Sequence, residues 1–183
     1  MSLVKVSGNA SGTGTLTIAA PNTNSDRTLT LPDVTATLGI NGPAFFVRPS
    51  AGLTVTLATA TKIQLNTEDF DTNSNFDTST YRFTPTIAGY YQISAGLRGS
   101  ATTTNSGTTI TIYKNGSAYL SALSTSTNAA QFPTISALIS MNGSTDYIEF
   151  YGSITGSGTA TFGTTNADGS YVTWASGCLV RGA

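Results

Sequence analysis

The segment from Asp71 to Leu97 most constrains what this 183-residue chain can fold into. After Gly89, apolar and polar residues alternate, and the side chains of a β-strand point alternately to its two faces. Four residues therefore share one face of a predicted strand: Tyr91, Ile93, Ala95 and Leu97. Pro85 and Gly89 mark a corner before this strand, because both residue types interrupt regular structure. The segment predicts a central strand that contributes an apolar face to a β-sheet core.

The composition indicates an all-β chain that works without nucleic acid or membrane. Only 9% of the residues are charged, and the formal net charge is −1. Thr, Tyr, Ile and Val favour strands, whereas Gly and Asn supply turns. Binding to duplex nucleic acid requires a basic surface, which this charge balance does not offer. No apolar run approaches the roughly 18 residues of a membrane span, and the first residues lack the apolar core of a signal peptide. We therefore expect the protein to assemble in the cytoplasm and not to insert into a membrane.

The residues that usually carry catalysis are scarce, because the chain has no histidine and one cysteine. Without histidine, Ser–His and Cys–His nucleophile pairs cannot form, and the commonest zinc ligand is missing. Cys178 lies in an apolar stretch and is interpreted as a small buried side chain. Glu68, Asp69 and Asp71, with Asp77 nearby, are interpreted as a solvated loop rather than a glycosidase carboxylate pair. We predict that the protein is not an enzyme and has no cofactor, with calcium at the acidic loop as the open alternative.

Five residues of the organising segment match a known signature in their spacing: Asp71, Phe76, Phe83, Gly89 and Tyr91. This spacing resembles the signature of the complement component 1q head, which shares a jelly roll with tumour necrosis factor. Pro43-Ala44-Phe45 and Ser176–Val180 resemble the first and last strands of that family. At Ile93 and Ala95 the family prefers aromatic residues. The resemblance covers about residues 43–183 and implies an antiparallel jelly-roll sandwich that assembles as a homotrimer.

Residues 1–42 differ from the rest of the chain and predict an N-terminal β arm. A Thr-Leu-Thr-Ile/Leu unit occurs twice, at Thr15–Ile18 and Thr28–Leu31. The apolar residues of the arm are too few to offset the entropy of ordering about forty residues, so the arm must pack on something else. The stretch of residues 14–33 resembles a linker in structural proteins of tailed bacteriophages. This resemblance implies that residues 1–42 anchor a head of residues 43–183 to other virion proteins, with a disordered tether as the alternative.

These observations predict a bacteriophage virion protein, a tail fibre or tip whose trimeric head is displayed for host-surface binding. Two alternatives stay open. One is a capsid decoration or head-fibre protein, and the other is a non-viral binding module similar to complement 1q. The expected location is the virion.

Loop lengths predict where recognition takes place. Connections between antiparallel strands alternate between the two ends of a sandwich. The connections Ser100–Gly107, Ser124–Ala130 and Thr155–Gly169 are long, whereas Asn115-Gly116 and Asn142–Thr145 are tight turns, so the long loops share one end. Long loops often carry binding sites, and their Ser, Thr and Asn residues suit a glycan or a polar protein surface. The candidate recognition residues are Thr102, Thr103, Thr104, Asn105, Thr127, Asn128, Thr164, Asn166 and Asp168. Solvated connections without a binding role are the alternative.

Tyrosines that alternate with inward residues predict the trimer interface, since a tyrosine ring is apolar and its hydroxyl tolerates water. The candidates are Tyr90, Tyr113, Tyr119, Tyr147 and Tyr151. Scattered surface tyrosines are the alternative interpretation.

Overall fold

The structure is a computed structural model that describes residues 42–127 and 130–182, together with residues 11–15, 17, 24 and 26. Its contacts divide the chain into two units, Met1–Ala36 and Thr37–Ala183. The predicted arm of residues 1–42 lies largely outside the described residues, so the arm and its boundary stay predictions. The fold described below is that of the second unit.

The described residues form an all-β structure with antiparallel strand pairing throughout. They contain no helix, and hence no helix that could cross a membrane. In chain order the strands are β1 (Ala44–Arg48), β2 (Leu53–Val55), β3 (Thr61–Lys62), β4 (Thr67–Asp71), β5 (Phe76–Asp77), β6 (Arg82–Phe83), β7 (Gly89–Gly96), β8 (Arg98–Ala101), β9 (Thr104–Lys114), β10 (Ser117–Ser124), β11 (Thr134–Met141), β12 (Ile148–Ser157), β13 (Ala160–Gly163) and β14 (Trp174–Gly182).

Strand β7 lies inside a five-stranded sheet with the order β11-β7-β14-β1-β4. The predicted alternation is confirmed, because Tyr91, Ile93 and Ala95 are buried, as is Leu97 just beyond the strand. Strand β11 pairs with β7 in an unbroken antiparallel register. Its apolar residues therefore continue the layer that β7 begins, and the sheet turns one apolar face to the interior.

A second sheet has the order β10-β9-β12-β6-β5, with β3 paired to β12. Its long strands β9 and β12 bury alternate residues: Ile110, Ile112, Ile148 and Phe150. Strands β2, β13 and β8 form a small third sheet. The apolar faces of the two large sheets build one core, as expected when two antiparallel sheets pack face to face. The chain is therefore the antiparallel jelly-roll sandwich predicted from the sequence.

The spaced aromatic residues of the organising segment meet in this core. The ring centroid of Phe83 lies 4.4 Å from that of Phe45 on β1 and 5.5 Å from that of Tyr91. Phe76 lies 5.4 Å from Phe45, and its backbone N–H donates to the Asp71 carboxylate at 2.7 Å. The Tyr91 hydroxyl donates to the Ile87 carbonyl at 2.8 Å, so this buried polar group is satisfied. The signature thus joins strands of both large sheets.

Gly177 on β14 is required by the approach of two core side chains. A Cβ atom at this position would lie 2.7 Å from Phe45 Cε1 and 2.7 Å from Ile93 Cδ1. Phe45 and Ile93 therefore occupy the space that a side chain on residue 177 needs.

The two tight turns lie side by side at one end of the sandwich. Asn115 and Gly116 have φ angles of 53° and 76°, which the type I′ hairpin predicted from Asn-Gly requires. The Asn142 side-chain oxygen accepts the backbone N–H groups of Thr145 and Asp146, closing the second turn. The Asn115 amide donates to the Asp146 carboxylate at 2.8 Å, which links one turn to the other.

Three sequence interpretations are wrong. Most of the predicted loop Ser100–Gly107 belongs to β8 and β9. The predicted loop Thr155–Gly169 contains the end of β12 and all of β13. The reason is that threonine-rich segments form paired strands as readily as turns. The predicted acidic loop is strand β4, at the edge of its sheet, where charged residues discourage further pairing. Cys178 is exposed, because it lies on the outward side of β14.

Candidate functional site

The three connections that were expected to share one end are brought together there. The backbone N–H of Thr102 donates to the Thr159 carbonyl at 3.0 Å. Gly99 and Gln131 exchange two backbone hydrogen bonds, which ties the connection before β9 to the one before β11. This end lies opposite the two tight turns.

One residue that was predicted to take part in recognition, Asn105, does not lie on the surface. Asn105 is fully buried, and its side-chain amide donates to the Gly99 carbonyl at 3.0 Å and to the Thr108 hydroxyl at 3.1 Å. The Gln131 amide donates to the Asn105 carbonyl at 2.9 Å. Asn105 therefore holds the three connections together from inside and cannot contact a ligand on the surface.

The other candidate recognition residues differ in their exposure to solvent. Thr104 begins β9 and is half-buried, whereas Thr102 and Thr103 form the exposed turn before it. Thr127 is exposed beside Ser106, and Asn128 lies outside the described residues. Thr164 is half-buried, and its carbonyl accepts the backbone N–H of Val172. Asn166 and Asp168 are exposed.

Asn166 and Asp168 belong to one short turn that is fixed by its own hydrogen bonds. The Asn166 N–H donates to the Ser170 carbonyl at 2.9 Å, and the Gly169 N–H donates to the Asn166 carbonyl at 3.1 Å. The Asp168 carboxylate accepts the hydroxyl and the N–H of Ser170, and these bonds lower the pKa of Asp168. Asn166 is therefore exposed but held in place.

A pocket of about 310 Å³ opens next to this turn. Its described lining residues are Phe132, Thr134, Asn166, Tyr171, Val172 and Trp174. Of these, sequence reasoning identified Asn166 alone. The chain's single tryptophan, placed at the start of the last strand with a tyrosine three residues before it, is the signal that could have pointed to the site.

The two largest rings of the pocket are held by neighbouring residues. The Trp174 ring stacks on Phe46, with centroids 5.9 Å apart and an interplanar angle of 11°. The Arg48 guanidinium lies 4.2 Å from the centre of the Tyr171 ring, and its Nε is 2.9 Å from an Asp69 carboxylate oxygen. Each ring is therefore supported on one side, and the pocket wall is preformed.

The five candidate interface tyrosines lie on two different sheets. Tyr90 is on the outer face of the five-stranded sheet, at β7. Tyr113 and Tyr151 stack at 4.0 Å on the six-stranded sheet, and the Arg82 guanidinium lies 3.7 Å from the Tyr147 ring centre. Tyr119 is exposed on β10. The structure therefore groups Tyr113, Tyr147 and Tyr151 and separates Tyr90 from them.

A buried carboxylate organises that tyrosine group. Glu149 on β12 is only 2% exposed, and its Oε1 accepts hydrogen bonds from Lys62 Nζ at 2.7 Å and Arg82 Nη2 at 2.8 Å. Burial alone raises the pKa of Glu149, but the bonds from Lys62 and Arg82 outweigh burial and hold this pKa below its usual value. The cluster is a structural element in which one buried carboxylate bridges two cations.

The outer face of the five-stranded sheet, in contrast, carries apolar side chains that are exposed or half-buried. The members of this apolar face are Phe46, Phe70, Tyr90, Leu138 and Cys178. Phe70 is 50% exposed and Leu138 is 55% exposed. Between them lie small polar residues, since Phe46 is paired in register with Ser176, and Ser176 with Ser94.

Three of the four acidic residues considered for calcium have partners within the chain: Asp69, Asp71 and Asp77. Asp69 pairs with Arg48, and Asp71 accepts the Phe76 N–H. The hydroxyl and backbone groups of Ser79 and Thr80 donate to Asp77 and lower its pKa to about 2. Among the described residues, no group of three or more His, Cys, Asp and Glu side chains gathers as metal ligands do.

Comparison with solved structures defines the class of fold. The globular domain of zebrafish complement 1qA is similar with a TM-score of 0.57 and 14% identity, over 78% of this chain and 100% of that domain. Murine APRIL, in a crystal structure at pH 5.0, is similar with a TM-score of 0.56 and 8% identity, over 76% of this chain and 100% of that chain. No protein-family model and no curated protein matches the sequence. The chain therefore has the jelly-roll fold of complement component 1q and tumour necrosis factor.

Proposed function

We propose that this chain is a structural protein of a bacteriophage virion, a tail fibre or tip whose homotrimeric head is displayed for host-surface binding. The observation that carries the self-association is the apolar face of the five-stranded sheet. The viral assignment is supported by the sequence of residues 14–33, which is similar to a linker of phage structural proteins.

The apolar face exposes a large apolar side chain at each edge of the sheet, Phe70 on β4 and Leu138 on β11. Monomeric soluble proteins rarely expose contiguous apolar patches larger than a few hundred Å². Phe70 and Phe46 pair across β4 and β1, with ring centroids 6.5 Å apart, and Leu138 lies at the opposite edge of the sheet. Aromatic residues around a weakly charged centre are typical of the buried part of an interface.

A second copy of the chain fits this face in a ring-forming contact. In a three-fold assembly each interface pairs two different patches, so the contact need not be self-complementary. The face has an aromatic edge at Phe46 and Phe70 and a Ser-rich centre beside Leu138. We propose that the aromatic edge of one copy packs on the Ser-rich centre of the next, which removes both from water.

The ends of the sandwich suit an anchored and displayed head. Pro43 enters beside the end of β14, where its carbonyl accepts the Leu179 N–H at 2.9 Å. The pocket lies at the start of the same strand, at Trp174. Trp174 and Leu179 are five residues apart on β14, so the two places are separated by about 17 Å at the usual strand rise. An anchor at Pro43 leaves the pocket end free to contact a host surface.

The test is to locate the protein on virions with antibodies raised against residues 43–183, by immunogold electron microscopy. Gold at the tail fibre or tip agrees with the proposal. Gold over the capsid shell instead identifies a decoration or head-fibre protein, and absence from purified virions identifies a non-viral binding module. Either of the last two results refutes the tail assignment.

A further inference from the structure

We propose that the pocket formed by Phe132, Thr134, Asn166, Tyr171, Val172 and Trp174 binds one neutral pyranose ring of a glycan. This inference gives the displayed head a ligand class, and it rests on the proposed function for the source of that glycan.

The uncharged lining of the pocket favours a neutral ligand. None of its six described lining residues is charged. Two cations lie near the pocket, and both are engaged: Arg48 covers one side of Tyr171 and pairs with Asp69 at 2.9 Å, and the Arg98 guanidinium donates to the Thr165 carbonyl at 3.4 Å. An anionic sugar or phosphate would therefore lose its hydration without gaining a cationic partner, which costs free energy.

Polar groups in the pocket wall are available for a ligand. Four of them make no hydrogen bond with any described residue: the Thr134 hydroxyl, the Asn166 side-chain oxygen, the Tyr171 hydroxyl and the Trp174 Nε1–H. The indole group only donates, the amide oxygen only accepts, and the hydroxyls do both. Sugar hydroxyls donate and accept at close spacing, so they match this mixed set.

The aromatic surface is rigid and suits the C–H face of a sugar ring. Trp174 is stacked on Phe46, and its indole also lies over Gly96, where a Cβ atom would come within 2.9 Å of Nε1. Tyr171 and Phe132 are exposed on the pocket rim. Rings that are fixed before binding reduce the ordering cost that a ligand must overcome.

The volume of the pocket is compatible with one sugar ring. Its volume of about 310 Å³ is near the lower bound of roughly 300 Å³ found for small-molecule sites. A single pyranose fits such a volume, and the rest of a glycan would extend past Phe132 and Tyr171 into solvent.

The chain offers a direct probe, because Trp174 is its only tryptophan. The full-length protein is titrated with methyl β-D-galactopyranoside, methyl α-D-glucopyranoside and methyl α-D-mannopyranoside while tryptophan fluorescence is recorded. We expect a saturable change with at least one glycoside, at a Kd in the millimolar range. Two comparison ligands are sialyllactose and a blocked Ala-Thr-Ala peptide. No saturable change with any glycoside up to about 100 mM, or saturation by the peptide alone, overturns the proposal.

Variants then place the binding in the pocket. Tyr171→Ala and Asn166→Ala remove exposed groups, and each is expected to weaken the glycoside at least about tenfold. Leu120→Ala is the control, because Leu120 is an exposed apolar residue on β10, in the other sheet. It should leave the Kd unchanged. Circular dichroism spectra that match the wild type exclude misfolding, and wild-type affinity in both pocket variants overturns the assignment.

This titration is independent of the proposed function. Sugar binding that Tyr171→Ala abolishes, in a protein absent from virions, supports the pocket and refutes the phage assignment. A virion protein on the tail with no glycoside response keeps the proposed function and refutes the pocket.

Discussion

Replacing Glu149 with glutamine should destabilise the head more than the loss of any surface ion pair. The substitution preserves shape but removes the negative charge that pairs with both Lys62 and Arg82. Breaking a fully buried pair typically costs about 3–5 kcal/mol. The Lys62 and Arg82 side chains are 27% and 36% exposed, so water partly compensates them and the expected loss is smaller. We expect the free energy of unfolding to fall by about 2 kcal/mol.

Urea denaturation followed by circular dichroism measures this change, with all variants at the same protein concentration because association contributes to stability. At a slope of about 2 kcal/mol per M, the midpoint should fall by about 1 M. Asp69→Asn is the matched control, since it breaks the more exposed pair with Arg48 and should cost about 1 kcal/mol or less. An equal or smaller effect of Glu149→Gln would refute the reasoning.

The pH dependence of the stability of wild type and Glu149→Gln gives a second test. The pKa of Glu149 is lowered in the folded state from its ordinary value of 4.5. Its contribution is therefore complete above pH 4.5 and is lost as the pH falls through the folded-state pKa. The stability difference between wild type and Glu149→Gln should shrink on acidification below pH 4.5. A difference that stays constant to lower pH would show that charge is not its origin.

Three further predictions concern other parts of the chain. Gly177→Ala should lower stability by about 1–3 kcal/mol, seen as a lower Tm, since the new Cβ would lie 2.7 Å from Phe45 and Ile93; an unchanged Tm would contradict this packing. Burial raises the pKa of Tyr91 to about 12 from 10.0, so ionisation of this residue should lower stability as the pH rises from about 10 to 12. Tyr91→Phe should flatten the dependence of stability on pH in this range. An unaltered pH dependence would show that Tyr91 is not responsible. Deleting residues 1–38 should leave a folded head that no longer joins the virion; unfolding of that head would show that the arm belongs to the jelly roll.

Periodicity predicted the parts of the fold where buried and less buried residues alternate along most of a strand. The strands β7, β9 and β11 follow this rule, because one side of each lies in the core and the other faces outward. The spaced signature from Asp71 to Tyr91 was equally informative, since its aromatic residues meet in one cluster with Phe45. In both cases local spacing along the chain determines the contact.

Periodicity did not predict the strands formed by the threonine-rich segments. Residues 104–107 extend β9, and residues 155–157 extend β12, although their side chains are those of turns as much as of strands. Pairing between the two segments, with Thr104 opposite Ser157, decides the outcome. The partner lies about fifty residues away, so no local pattern contains this information.

The candidate site was only partly predictable for a related reason. Asn166 was identified through its loop, but Phe132 precedes β11 and Trp174 begins β14. These residues become neighbours only when β11, β7 and β14 pair in register. Asn105 shows the opposite error, since a polar residue in a polar segment proved to be fully buried with its hydrogen bonds satisfied inside.

The central claim is that copies of this head associate through the apolar face, and the mass in solution tests it most directly. Multi-angle light scattering at micromolar concentration compares the full chain with a Phe70→Ser, Leu138→Ser double variant. We expect three times the chain mass for the wild type. The double variant should have the mass of one chain, with an unchanged circular dichroism spectrum, because the two exposed side chains contribute to the interface and not to the core. A monomeric wild type, or a double variant that keeps the trimer mass, would contradict the account.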